Sequence, residues 1–194
     1  MRVISGKARG TKLNSIESMD TRPTLDRVKE SLFNILQECI SNKNVLDLFA
    51  GSGALGIEAL SRNADNVTFC DNNKQAIQMI KKNLEKTRLL EKSEIINLDY
   101  KECVKFLNTK NKKFDLIFLD PPYKDDIAIE SLKLIVKNDL INNKGIIIIE
   151  TDEVMRDLKE LNYAMEIELR NIEIFDQRKY GRANLIFLKN DWML

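Results

Sequence analysis

The tetrapeptide Asp120-Pro121-Pro122-Tyr123 places a carboxylate, two fixed backbone positions and a flat ring at the end of the apolar run Phe114–Leu119. Proline locks φ and cannot extend a strand ladder, so the run must stop there and leave the Asp120 carboxylate and the Pro121 carbonyl as acceptors beside an aromatic face. Such a pair suits a planar substrate carrying an amino group. The exocyclic amine of guanine or adenine is a poor nucleophile because its lone pair is delocalised into the ring. Two acceptors holding its N–H groups favour a pyramidal nitrogen and free that lone pair for in-line attack. Asp120, Pro121, Pro122 and Tyr123 are therefore the candidate catalytic residues, with Tyr123 stacked on the base. The departing proton has two possible destinations, Asp120 or water.

A second constellation lies upstream. In Asp47-Leu48-Phe49-Ala50-Gly51-Ser52-Gly53-Ala54-Leu55-Gly56, glycines follow a buried apolar run and open a helical one. Gly51 and Gly53 permit close backbone approach to a ligand, and Gly56 lets the helix sit tightly on a sheet. Asp71, twenty residues after Gly51, ends the next apolar run and can receive two ribose hydroxyls. The candidate cofactor-binding residues are Asp47, Phe49, Ala50, Gly51, Ser52, Gly53, Gly56, Asp71, Asn72 and Asp99. For Asp99 two readings stand, a contact to an adenine amine or an N-cap for the helix that follows. Turn and acid alone suit a nicotinamide dehydrogenase as well as a methyltransferase. The tetrapeptide offers an amine clamp in place of a hydride-acceptor site with its proton donor, which favours methyl transfer from the sulfonium of S-adenosyl-L-methionine.

Composition narrows the chemistry further. No histidine occurs in the 194 residues, which removes the commonest general base, metal ligand and nucleophile partner. Cys39, Cys70 and Cys103 are widely spaced and none sits beside a proline, against a zinc site, a disulfide framework or a cysteine-dependent carbon methylation. No metal is expected. The 31 basic and 30 acidic residues nearly cancel, so a nucleic-acid partner must be held by a local patch. A 43% hydrophobic content supports one compact α/β domain with a small appendage, expected as a monomer. The N-terminus lacks the apolar core of a signal peptide, so a cytoplasmic protein is expected.

Positioning these groups requires alternating strands and helices. Strands are predicted near Val45–Phe49, Val67–Asp71, Glu94–Asn97, Phe114–Asp120 and Gly145–Glu150. Helices are predicted near Ala54–Ser61, Lys74–Thr87, Tyr100–Leu107, Asp126–Lys137 and Glu153–Leu161. Met165–Ile174 and Ala183–Leu188 read as two antiparallel strands flanking a basic loop, 175–182. Ahead of this core, the acid-free stretch 1–13 reads as a basic hairpin or arm. Val28, Leu32, Phe33, Ile35, Leu36, Cys39 and Ile40 fall on one helical face behind Thr24, a plausible N-cap. Residues 1–42 are thus an N-terminal extension, and 43–194 the main domain.

Several blocks resemble the bacterial 16S (small-subunit) ribosomal RNA guanine-N2 methyltransferase family, the RsmD-like enzymes, across nearly the whole chain. They are Val3-Ile4-Ser5-Gly6 with Arg9-Gly10, Arg22-Pro23-Thr24 with Arg27-Val28-Lys29-Glu30-Ser31-Leu32-Phe33-Asn34, and the run from Asp47 to Arg62. Asp120-Pro121-Pro122-Tyr123 and Lys179-Tyr180-Gly181 complete the set. The resemblance implies a Rossmann-like class I S-adenosylmethionine-dependent methyltransferase fold. Its sheet would be seven-stranded and mostly parallel, with an antiparallel final hairpin. It also implies a guanine in ribosomal RNA as target, within an assembled or partly assembled 30S subunit. Arg2, Lys7, Arg9, Lys12, Arg22, Lys179 and Arg182 would then contact phosphates. The family often has Glu where this chain has Asp71, and Asp99 lies in a variable loop; both positions keep a carboxylate. Two rivals remain: a DNA adenine-N6 methyltransferase, which lacks a target-recognition domain here, and a noncatalytic RNA-binding assembly factor.

Overall fold

A computed structural model describes residues 1–15, 23–122 and 127–191. Its strands form a seven-stranded sheet. They are β1 (Asn44–Asp47), β2 (Asn66–Cys70), β3 (Ser93–Ile96), β4 (Phe114–Leu119), β5 (Ile141–Thr151), β6 (Ile172–Tyr180) and β7 (Ala183–Asn190), in the order β3-β2-β1-β4-β5-β7-β6. The pairs β1–β2, β2–β3 and β4–β5 are parallel, whereas β7 runs antiparallel to both β5 and β6. The helices are α1 (Pro23–Ile35), α2 (Ala54–Ser61), α3 (Lys74–Thr87), α4 (Tyr100–Thr109), α5 (Ile127–Lys137) and α6 (Val154–Ile167). By compactness the chain divides into Met1–Tyr100 and Lys101–Leu194.

In the first unit, Val45, Leu46, Val67 and Phe69 are wholly buried, as expected of strands covered on both faces. Seven of the eight α2 residues are buried, including Glu58 and Ser61. Helix α3 buries Ala76, Ile80, Asn83, Leu84 and Thr87, one stripe at helical spacing, and the Asn73 side chain caps it by accepting from the Gln75 N–H. The N-terminal arm forms the expected hairpin: Arg2 pairs with Lys12, and Val3, Ala8 and Leu13 face inward. Pro23 is itself the first residue of α1, so Thr24 lies inside the helix and is not its N-cap. Proline suits that first position because its missing N–H has no intrahelical partner to lose.

The second unit is built on Leu116–Leu119 paired with Ile146–Ile149, and on β7, whose Leu185–Leu188 are buried. Its last elements differ from expectation. Met165 and Ile167 belong to the end of α6, and β6 starts only at Ile172 and continues through Arg178 and Lys179 to Tyr180. The expected basic loop is therefore mostly strand, closed by the two-residue turn Gly181-Arg182. An edge strand paired on one side tolerates such polar residues, because its second edge and outer face meet water.

Candidate active site

The glycine turn runs from the end of β1 into α2 and is tied down from three sides. Ala50 N–H donates to the Cys70 carbonyl (2.9 Å), Gly53 N–H to the Ala50 carbonyl (2.7 Å), and Gly51 N–H to the Asp71 carboxylate (2.8 Å). Gly51 has φ +54°, and a side chain there would project into open space. The turn thus offers a bare backbone shelf, the surface a nucleoside cofactor needs for close approach. Gly56 does the opposite. A Cβ there would lie 2.3 Å from Phe69 Cε1, so the missing side chain is what lets α2 rest on β2.

Carboxylates flank the shelf with different roles. Asp47 is 2% exposed and accepts from Gly56 N–H (3.0 Å), so it shapes the turn from below. Burial, opposed by the Gly56 hydrogen bond and reinforced by the Asp71 charge, pushes its carboxyl up to about 7. Asp71 is half-buried at the end of β2. It accepts from Gly51 and, through its other oxygen, from Asn73 N–H (2.8 Å). A carboxylate has about four acceptor positions, so capacity remains for ribose hydroxyls. Asn72 is exposed beside it. Asp99 is half-buried after β3, next to Tyr100, whose ring packs on Phe49 with centroids 5.6 Å apart.

The arm is locked to the far end of α2. Glu58 accepts from the N–H groups of Ile4 (2.8 Å) and Ser5 (3.0 Å) and forms ion pairs with Lys29 (3.3 Å) and Arg62 (2.9 Å). Lys29, 3% exposed, also donates to the Arg2 carbonyl (2.5 Å). Its burial pushes the ammonium below its usual range, with the Glu58 carboxylate opposing. Ser61 donates to the Ser5 carbonyl and accepts from Ala8 N–H. The backbone held in this way carries Arg2, Lys7, Arg9 and Lys12, all exposed. Arg2 and Lys12 are cross-strand partners, a like-charge arrangement that is unfavourable without a counter-anion.

In the second unit, β4 ends at Leu119. Asp120 follows, half-buried, then Pro121 buried and Pro122 exposed. The prolines line a narrow cavity of about 10 Å³ with Glu150, Thr151, Asp152 and Arg156, room for about one water and far too small for a base. Lys179 near the end of β6 and Arg182 in the following turn are exposed. Tyr123 and Arg22 lie outside the described residues. No cluster of metal-ligating side chains occurs among the described residues, and none of their helices is long and apolar enough to cross a membrane.

The family described as conserved hypothetical protein 95 matches residues 1–189. The chain belongs to that family. The resemblance read from the sequence is borne out at this level by two similar proteins named ribosomal RNA small subunit methyltransferase D. The one from Haemophilus influenzae is 40% identical over 156 residues, 79% of this chain and 79% of its own length. The one from Escherichia coli is 36% identical over 152 residues, 78% of this chain and 75% of its own. A solved Escherichia coli chain described as a candidate methyltransferase superposes with a TM-score of 0.81 at 29% identity, covering 98% of both chains.

Within this member of the conserved hypothetical protein 95 family, sequence reading missed the residues that support the site from a distance. Asn97 donates to the carbonyls of Asp71 (2.9 Å) and Asn72 (3.1 Å), fixing the loop that carries the ribose-binding candidate. Asn83 donates to the Ser52 carbonyl (2.9 Å) from the middle of α3. The available signal was compositional: Glu58 stands in the otherwise apolar Ala-Leu-Gly-Ile-Glu-Ala-Leu, and Asn83 falls on the buried stripe of its helix. A polar residue in such a place must be paired.

Proposed function

We propose that this chain transfers a methyl group from S-adenosyl-L-methionine to the exocyclic N2 amine of a guanine in 16S ribosomal RNA, within an assembled or partly assembled small subunit. The observation that carries the reading is the acid-proline-proline exit from β4, in a chain whose relatives are named for small-subunit ribosomal RNA methylation. The bare backbone at Gly51, set between the buried Ala50 and Ser52, and the Asp71 carboxylate fit an adenosine-bearing cofactor. When bound, that cofactor supplies an electrophilic methyl.

The chain's own residues do the rest. Asp120 and the Pro121 carbonyl accept the two N–H groups of the guanine amine and hold its lone pair out of the ring plane. Pro121 and Pro122 fix the backbone that presents these acceptors. Tyr123 stacks on the base, which leaves its helix or loop to reach the site. Proton release goes to Asp120 or to water. Residues 1–42 act as the RNA-binding extension of the methyl-transfer domain 43–194. The unfavourable Arg2–Lys12 pair favours a polyanion across the arm, with Lys179 and Arg182 as further phosphate contacts. A metal has no part in this scheme, a monomer suffices for it, and it places the protein with ribosomes in the cytoplasm.

Asp120→Ala tests the reading. The variant should fold and bind S-adenosylmethionine nearly normally, yet methylate guanine N2 in undermethylated small subunits about 100-fold more slowly in single turnover. Near-normal transfer would refute the amine clamp. Methylation of DNA adenine in place of ribosomal RNA would move the assignment to the adenine-N6 rival.

A further inference from the structure

Asn83 is wholly buried on α3, and both polar atoms of its side-chain amide are hydrogen-bonded. Oδ1 accepts from Asn14 N–H (2.8 Å), and Nδ2 donates to both the Asn14 carbonyl (3.0 Å) and the Ser52 carbonyl (2.9 Å). The first two bonds imitate a strand pairing with the base of the arm. The third grips the glycine turn between Gly51 and Gly53. One rigid amide therefore joins two segments that are remote in sequence, the arm that carries the exposed cations and the shelf that receives the cofactor. A second connection runs parallel to it. Helix α2 begins at the same turn, and Glu58 and Ser61 in its last turns hold Ile4, Ser5, Lys7 and Ala8, with Arg62 paired to Glu58 behind them.

We propose that Asn83 is a positioning residue that couples the two binding events, so that an occupied cofactor shelf raises affinity for RNA and bound RNA raises affinity for the cofactor. The physical reason is shared ordering. A ligand on Gly51–Gly53 restrains the Ser52 carbonyl, which restrains the Asn83 amide and with it Asn14, so the arm then meets RNA with less freedom left to lose. Linkage makes the effect reciprocal and equal in both directions. The inference rests on the proposed function, because it needs both ligands.

The experiment measures affinity for undermethylated small ribosomal subunits with and without saturating S-adenosylhomocysteine, and affinity for S-adenosylhomocysteine with and without subunits. In the native protein both ratios should agree at about tenfold, within the usual range of such couplings. Asn83→Leu leaves three backbone groups unpaired and should bring both ratios close to one. Asn14→Pro removes the donor to Oδ1 and keeps the Asn14 carbonyl as an acceptor. It should leave cofactor affinity within about twofold of native while lowering the coupling ratio, which separates coupling from general damage should Asn83→Leu fold poorly. Binding of both ligands by the native protein with a ratio of one would overturn the coupling and leave the functional reading standing. Failure to bind either ligand would instead strike the functional reading. A native-sized ratio in Asn14→Pro would show that the amide bridge is merely structural.

Discussion

Substituting Gly56 by alanine sets two physical effects against each other, and the structure decides between them. Helix propensity favours the change, since alanine in a helix interior is better than glycine by about 1 kcal/mol. Packing opposes it. The added Cβ would sit 2.3 Å from Phe69 Cε1, 2.7 Å from Cζ and 2.9 Å from Val67 Cγ1. Ordinary carbon contacts are about 3.5–4.0 Å, so the ring must retreat by about 1 Å or more. Phe69 and Val67 are both wholly buried in β2 and have nowhere to go. Overpacking of this kind costs about 1–3 kcal/mol, and two rigid neighbours place it at the upper end. The net expectation for Gly56→Ala is a loss of ~2 kcal/mol, or roughly 4–8 °C in Tm for a chain of this size. Weaker S-adenosylmethionine binding should accompany it, because α2 carries the turn. Urea unfolding and cofactor calorimetry read both effects. Adding Phe69→Leu, which removes the clashing ring atoms, should leave the double variant better than the sum of the two singles by ~1 kcal/mol. A Gly56→Ala protein more stable than the native one would refute the reasoning, since it would mean that propensity outweighs the contact.

Two further outcomes follow from the buried charges. With its carboxyl raised to about 7, Asp47 keeps a proton in the folded state that the unfolded chain has already released. Its contribution to stability should fall as pH rises from about 4 to about 7 and then level off, at ~1.4 kcal/mol per pKa unit. Asp47→Asn, which can still accept from Gly56, should lack that slope; urea titrations of both proteins at about pH 5 and about pH 8 would expose an unchanged slope if the assignment is wrong. Glu58→Ala strands the Lys29 ammonium and two arm N–H groups and should cost ~3–5 kcal/mol, whereas Lys29→Met combined with Glu58→Gln should recover most of it. A double variant no better than Glu58→Ala in thermal unfolding would count against the ion pair as the cause.

What could be read from sequence was local. Helices α2 and α3 begin and end where expected, because Gly53 and Asn73 punctuate their starts and each carries a strong pattern of its own. The turn of Asp47–Gly56 was legible for the same reason, since its ligand-facing and packing glycines fall within six residues. Helix α6 was harder to delimit. Met155, Tyr163 and Ile167 are exposed, so apolar residues stand on its outer face and blur the stripe formed by Leu161 and Ala164. The partners of the site's supports were illegible because they span the chain. Glu58 meets Ile4 across 54 residues, and Asn83 meets Asn14 across 69; a polar residue in an apolar stretch signals that a partner exists but not which one.

The sheet order carries a consequence for how the chain is made. Strand β7 lies between β5 and β6, so β6 touches the sheet only through the strand that follows it. During synthesis from the N-terminus, β6 emerges with nothing to pair against, and the edge of β5 stays open until Ala183–Asn190 arrives. An open edge of such isoleucine-rich character, Ile146–Ile149, is a template for the wrong partner. The sheet of the second unit therefore cannot be completed before β7 is available, since that one strand closes β5 and joins β6 to it. Damage to β7 would release two strands, and a nascent chain that stalls before it would present the open, isoleucine-rich edge of β5.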